Sequence, residues 1–167
     1  MEAKLINGTP SILNIADTNY EIRFNLASAG AIEDTDVNKI KTPEEKSASF
    51  KITDEFITRF VKSKNALSDI EKFTIETREG FSGDELVFTI GTELRGSTIE
   101  FTTDATVIKP FKPLPFAAEP FKEILKANKS YESGKLTAYN EGFVIIDFIF
   151  EDKTTTKYFI IRLQDVN

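Results

Sequence analysis

Lys122, Lys126 and Lys129 fall close together in the stretch FAAEPFKEILKANKSY, residues 116–131. At about 100° per residue the periodicity predicts a helix, with Phe121, Ile124, Leu125 and Tyr131 in one apolar arc and the lysines on and beside the opposite arc. Residues 52–65 repeat the arrangement, with Phe56, Ile57, Phe60 and Val61 facing one way and Arg59, Lys62 and Lys64 the other. Rows of Lys and Arg are suited to holding anionic phosphate. The chain as a whole is acidic, with 27 Asp and Glu against 21 Lys and Arg and a net charge of -6. Each helix nevertheless carries three cations against two carboxylates, Asp54 and Glu55 in the first, Glu119 and Glu123 in the second. Most of these acids belong to the first helical turn, where the helix dipole favours them, so the middle and end of each helix are more basic than the sum. Asn128 interrupts the apolar arc of the second helix without an evident reason.

Composition removes most other chemistry. The chain has no His and no Cys, so disulfides, the usual zinc sites, cysteine nucleophiles and histidine acid–base relays are excluded. No metal or other cofactor is expected, and the expectation is a protein that is not an enzyme. Carboxylate chemistry would need two acids converging in a cleft. Asp147 is the single acid embedded in a strongly apolar run, 143–150, where a Lys or Arg partner is the simpler expectation. The acids Glu33, Asp34 and Asp36 lack the glycine and distal Glu of a calcium loop and read as a solvated loop. With 15 Phe, 4 Tyr and no Trp, the aromatic residues suit core packing more than base stacking. No apolar run reaches transmembrane length and MEAKLINGTP lacks the apolar segment of a signal peptide, so a cytoplasmic location is expected.

The elements that position the cations follow in order. Residues 2–27 read as a β-meander, with Asn7-Gly8 as a tight turn and Tyr20, Ile22, Phe24 and Leu26 alternating with polar residues. Small, charged and turn-forming residues then form a linker. From residue 48 a strand, a helix capped by Thr53 and three strands are followed by the same order again, the second helix carrying Pro120 in its first turn. Phe56 and Phe60 correspond to Phe121 and Leu125 at one constant offset, and two copies point to pseudo-two-fold symmetry. The expected fold class is α+β, with duplicated βαβββ units, antiparallel sheet and two helices on one face.

This doubled pattern resembles the DNA sliding clamps, the processivity factors of replicative polymerases, and most of all the trimeric clamps of T-even bacteriophages. SILNIADTNYEIRFNLA resembles the final strands of that family's first domain, SASFKITDEFITRFVKSKNAL the opening strand and helix of its second, and TKYFIIRL the last strand of clamps more widely, proliferating cell nuclear antigen included. The resemblance implies residues 1–28 as the last strands of a shortened first clamp domain, 29–47 as an interdomain connector, and 48–167 as a complete second domain with repeats 48–109 and 110–167. It also implies a homo-oligomeric ring, a trimer if it closes, around duplex DNA that is held without reading sequence.

By the same resemblance Arg59, Lys62, Lys64, Lys122, Lys126 and Lys129 meet DNA. Peptides of the polymerase and clamp loader would dock on Ile40, Phe143, Phe159, Ile160 and Ile161. Subunits would join along the strand of Tyr20, Ile22, Phe24 and Leu26 and that of Arg95, Thr98, Ile99, Glu100 and Phe101, since unpaired edges recruit other chains. The competing reading is a phage structural or assembly protein that uses the same β-rich domain for oligomerisation, without DNA binding. No membrane partner is expected.

Overall fold

In residues 43–167 apolar side chains from one face of the strands meet in a core, and two amphipathic helices close that core. The computed structural model describes residues 2–6, 9–16, 21–25, 41–80, 83–91 and 96–164, the first three stretches through their backbone. The chain divides into two compact units, Met1–Thr42 and Pro43–Asn167.

The first unit contains an antiparallel meander, β1 (Glu2–Ile6), β2 (Thr9–Ala16) and β3 (Glu21–Asn25), in spatial order β1-β2-β3. The expected meander is therefore present, with β3 at an edge. Its Asn7-Gly8 turn, Tyr20 and Leu26 lie outside the described residues, as do Glu33, Asp34, Asp36 and Ile40.

The second unit runs β4 (Ala48–Ile52), α1 (Asp54–Ala66), β5 (Lys72–Gly80), β6 (Gly83–Gly91), β7 (Thr98–Asp104), β8 (Thr106–Val107), β9 (Leu114–Ala117), α2 (Ala118–Ala127), β10 (Ser133–Tyr139), β11 (Phe143–Ile149) and β12 (Thr155–Ile161). The duplicated order is that expected from the sequence, with the two-residue β8 added. Its strands divide between a five-stranded sheet, β12-β11-β10-β4-β8, and a four-stranded sheet, β7-β6-β5-β9, both antiparallel.

The pairing exchanges strands between the repeats. β4 opens the first repeat yet pairs with β10 of the second, and β9 opens the second yet pairs with β5 of the first. Neither repeat therefore owns a complete sheet. Gly134 shows how close this exchange is: it faces Ile52 on one side and Phe148 on the other, and a Cβ there would come within 3.1 Å of both side chains.

Inward residues of these strands meet in one cluster. Phe50 and Ile52 come from β4, Phe73 and Ile75 from β5, Leu86, Phe88 and Ile90 from β6, Leu136 from β10, and Val144, Ile146 and Phe148 from β11. Both helices press onto it. Phe56 of α1 stands edge-on to Phe50 at 4.7 Å and Phe88 at 4.9 Å. Phe60 of α1 lies 4.7 Å from Phe121 of α2 and 5.0 Å from Phe73. The two helices thus lie side by side on one core, and removing a buried phenyl of this kind costs about 3–5 kcal/mol.

The helix ends explain two sequence features. Thr53 caps α1, its Oγ1 accepting from the Phe56 amide at 3.2 Å. α2 stops at Ala127, earlier than the apolar arc suggested, because Asn128 leaves the helical path and closes its end. With only 3% of its surface exposed, Asn128 donates through Nδ2 to the Ile124 carbonyl at 2.7 Å and to the Tyr158 hydroxyl of β12 at 3.0 Å. Tyr131, beyond the helix, places its hydroxyl 3.3 Å from the Ile52 carbonyl and 3.1 Å from Asp54. Burial first, and then the Asp54 carboxylate, push its pKa up to about 12.

Replacing Asn128 with Leu is expected to cost about 1–3 kcal/mol, since Ile124 and Tyr158 lose their buried partner; urea denaturation followed by circular dichroism measures it. The phenol of Tyr131 stays protonated in the folded chain where it ionises in the unfolded one. Its contribution is therefore complete below about pH 10 and is lost as pH rises towards about 12. Denaturation midpoints over this interval should fall less steeply for Tyr131→Phe than for the parent chain.

Candidate nucleic-acid interface

The exposed sides of α1 and α2 carry the cations that the sequence singles out, and packing sorts them into two groups. Arg59 and Lys62 are exposed on α1, opposite Phe56, Ile57 and Phe60. Arg59 pairs with Glu55 one turn earlier. On α2, Lys126 is exposed and pairs with Glu123 at 2.9 Å. Lys129 is exposed in the turn that follows the helix. Among the described residues neither Lys62 nor Lys129 takes part in an ion pair. Exposed pairs such as Arg59–Glu55 are weak, about 0.2–1 kcal/mol, so these four side chains remain available to an outside anion.

Lys64 and Lys122 are committed differently, because they sit where the helices meet. Lys64 is 4% exposed; its ammonium donates to the Ser68 carbonyl at 2.8 Å and lies 3.4 Å from Glu119 of α2. Its side chain is thus removed from the solvated face on which the sequence placed it. Lys122, 12% exposed, pairs with Glu119, lies 3.7 Å from Glu123 and reaches back to Asn65 Oδ1 of α1 at 3.5 Å. The hydrogen bond with Glu119 raises the pKa of Lys122 and lowers that of Glu119. Lys64, Glu119, Lys122, Glu123 and Lys126 form a ladder of alternating charge across the helix pair. The signal missed in the sequence is that Glu119 is placed to bridge Lys64 of α1 and Lys122 of α2, with Glu123 linking Lys122 to Lys126.

Two further residue sets lie on the sheets. Register pairs Phe143 with Ile161 and Ile145 with Phe159, on the face turned away from the helices. There Phe143 is buried, with Phe159 6.0 Å away, and Ile161 is 71% exposed. Ile160 pairs with Val144 and packs against the core, so it faces the opposite way from Phe143, Phe159 and Ile161. Asp147 is half-exposed and meets Lys157, its cross-strand partner, at 3.3 Å. This is the pairing expected for it.

The edge strands supply the remaining candidates. β7 borders its sheet with β6 on one side only, as β3 does with β2. Ile22 and Phe24 belong to β3, and Thr98, Ile99, Glu100 and Phe101 to β7; Arg95 is outside the described residues. Side chains of β7 alternate. Phe101 turns inward, 5.5 Å from Phe88 and 5.9 Å from Phe56. Glu100 turns outward and takes two hydrogen bonds from Arg78. What β7 offers another chain is its backbone, with Thr98 and Glu100 on the outer side. The opposite edge strand, β9, is partly covered, since the Leu163 amide donates to the Pro115 carbonyl at 2.8 Å.

Among the described residues no group of acids is arranged to hold a metal ion, and no helix is long and apolar enough to cross a membrane.

No family model matches the chain and no curated protein matches it in sequence. Its fold is matched by the crystal structure of the proliferating cellular nuclear antigen of Entamoeba histolytica, with a TM-score of 0.56 and 16% identity over 92% of this chain. The chain spans 59% of the length of that protein. The α+β architecture of two helices and antiparallel sheets is therefore a fold shared with that proliferating cellular nuclear antigen.

Proposed function

We propose that the chain is a subunit of a DNA sliding clamp, a non-enzymatic processivity factor that holds a polymerase on duplex DNA. The observation that carries this reading is the placement of the two helices. They lie side by side on one core and turn Arg59, Lys62, Lys126 and Lys129 outward from a chain whose net charge is -6. Four cations spread over two helices and the turn after the second suit phosphates met without reading bases. Glu55 and Glu123, each paired to one of them, keep those contacts weak enough to exchange as the protein moves along the duplex. Lys64 and Lys122 act in this reading as positioning residues that fix one helix against the other.

The finer parts of the proposal rest on the resemblance to T-even phage clamps. Subunits assemble as a homotrimer, the backbone edge of β7 on one subunit meeting that of β3 on the next. Peptides of the polymerase and the clamp loader dock on the outer face at Phe143, Phe159 and Ile161. An assembly protein would use the same edges and show no dependence on DNA.

Duplex binding measured by fluorescence anisotropy over a range of salt tests the DNA face. Arg59→Glu with Lys126→Glu is expected to weaken binding at least about tenfold and to flatten the salt slope by roughly 2, at about 0.9 for each phosphate that is no longer neutralised. Folding stability should stay within about 1 kcal/mol of the parent. An undiminished affinity sinks this reading, and no binding by any form favours the assembly protein. Lys64→Ala should behave in the opposite way, lowering stability by about 1–3 kcal/mol and leaving the salt slope unchanged.

A further inference from the structure

The outer face of the five-stranded sheet carries a row of charges that the helix pair does not explain. Register lines up Lys51 of β4, Lys135 of β10, Asp147 of β11 and Lys157 of β12, each directly opposite the next. Lys157 and Asp147 neutralise one another at 3.3 Å. Lys51 and Lys135 face each other directly and both are exposed. Neither takes part in an ion pair among the described residues. Like charges placed opposite each other weaken a sheet, and this pair stands in a chain with more acids than bases.

Its surroundings are mixed. A groove of about 480 Å³ passes over Lys51, Lys135 and Asp147, is lined also by Ser49 and Ser133, and is bordered by Ile149, 39% exposed. Towards the other end of the same strands lie Ile145 and Phe159, and beyond them Phe143 and Ile161.

We propose that Lys51 and Lys135 form the acid-binding half of the peptide-docking face, and that its occupant is an acidic segment of a partner protein. The proposal rests on the docking reading above and adds the chemistry of the partner. Apolar side chains of the segment would cover Phe159 and Ile161 while a carboxylate seats over the two lysines, relieving their mutual repulsion. Rows on one face of a strand are roughly 6.7 Å apart and strands about 4.8 Å apart. Lys135 stands two rows and one strand from Phe143, and one row and two strands from Phe159, so the separation is about 12–14 Å. An extended peptide spans that distance in about four residues. A nucleic-acid backbone fits less well, because the cations end in an apolar patch and turn away from the helices.

The test is selection of displayed random twelve-residue peptides against the intact chain, followed by affinity measurement with one synthesised binder. Enriched peptides are expected to carry Asp or Glu about four residues from an aromatic or branched apolar pair. Lys51→Glu with Lys135→Glu should weaken the binder at least about tenfold, and exchanging its acid for Lys should restore binding to that variant. The milder Lys135→Gln, which removes one of two opposed charges and should leave folding intact, should weaken it several-fold. Binders that lack the acid, or that ignore both lysine changes yet lose affinity with Phe159→Ala and Ile161→Ala, overturn the acid-binding role and leave the docking face standing. Binders that ignore all of these changes overturn both. Loss of duplex DNA binding in the Lys51→Glu, Lys135→Glu form, with peptide binding unchanged, assigns the row to phosphate and overturns the proposal.

Discussion

Phe60, Phe73 and Phe121 meet in a triangle with ring centres 4.7–5.0 Å apart, joining α1, the four-stranded sheet and α2 at one point. All three are fully buried. Tilted and edge-on rings of this kind add about 0.5–1.5 kcal/mol per pair to the burial of their area. Their larger effect is geometric. With Phe60 and Phe121 in contact, the helices cannot separate, and the rest of each helix follows from its periodicity. Arg59 and Lys62, and likewise Lys126, then have only the outward side available to them. The exchange of β4 and β9 reinforces this constraint, because each helix leaves a strand that belongs to the other repeat's sheet.

Charge is layered over this frame in a consistent manner. Between the helices, Glu119 is shared by Lys64 and Lys122, whose side chains are largely withdrawn from water. On the outward side the pairs are exposed and loose. The outer sheet face reverses the balance, with opposed lysines beside apolar residues. A single net charge conceals three electrostatic environments, each set by what the neighbouring strand or helix contributes.

Much of this fold was legible in the sequence because it depends on local rules. The recurring order of strands and helix marked both repeats, and Thr53 announced the start of α1. The end of α2 was misjudged, since Tyr131 continues the apolar arc although Asn128 has already left the helix. A side-chain amide that caps a carbonyl and binds a distant tyrosine has no local signature. Lys64 was legible as a cation but not as a buried one; its partners, Ser68 and Glu119, lie on a turn and on another helix. Ile160 belonged to the right strand, and its neighbours' register decided its face. The exchange of first strands was invisible for a related reason: two similar repeats offer each opening strand two partners of equal quality, and only three-dimensional closure chooses between them.

That exchange also sets a timetable. On the ribosome the strand that pairs along the whole of β4, β10, is made more than eighty positions after it. At roughly 5–20 residues per second, the edge of β4 that pairs with β10 waits several seconds for its partner. The nascent chain passes through that interval with a bare sheet edge, the kind of surface that recruits other chains.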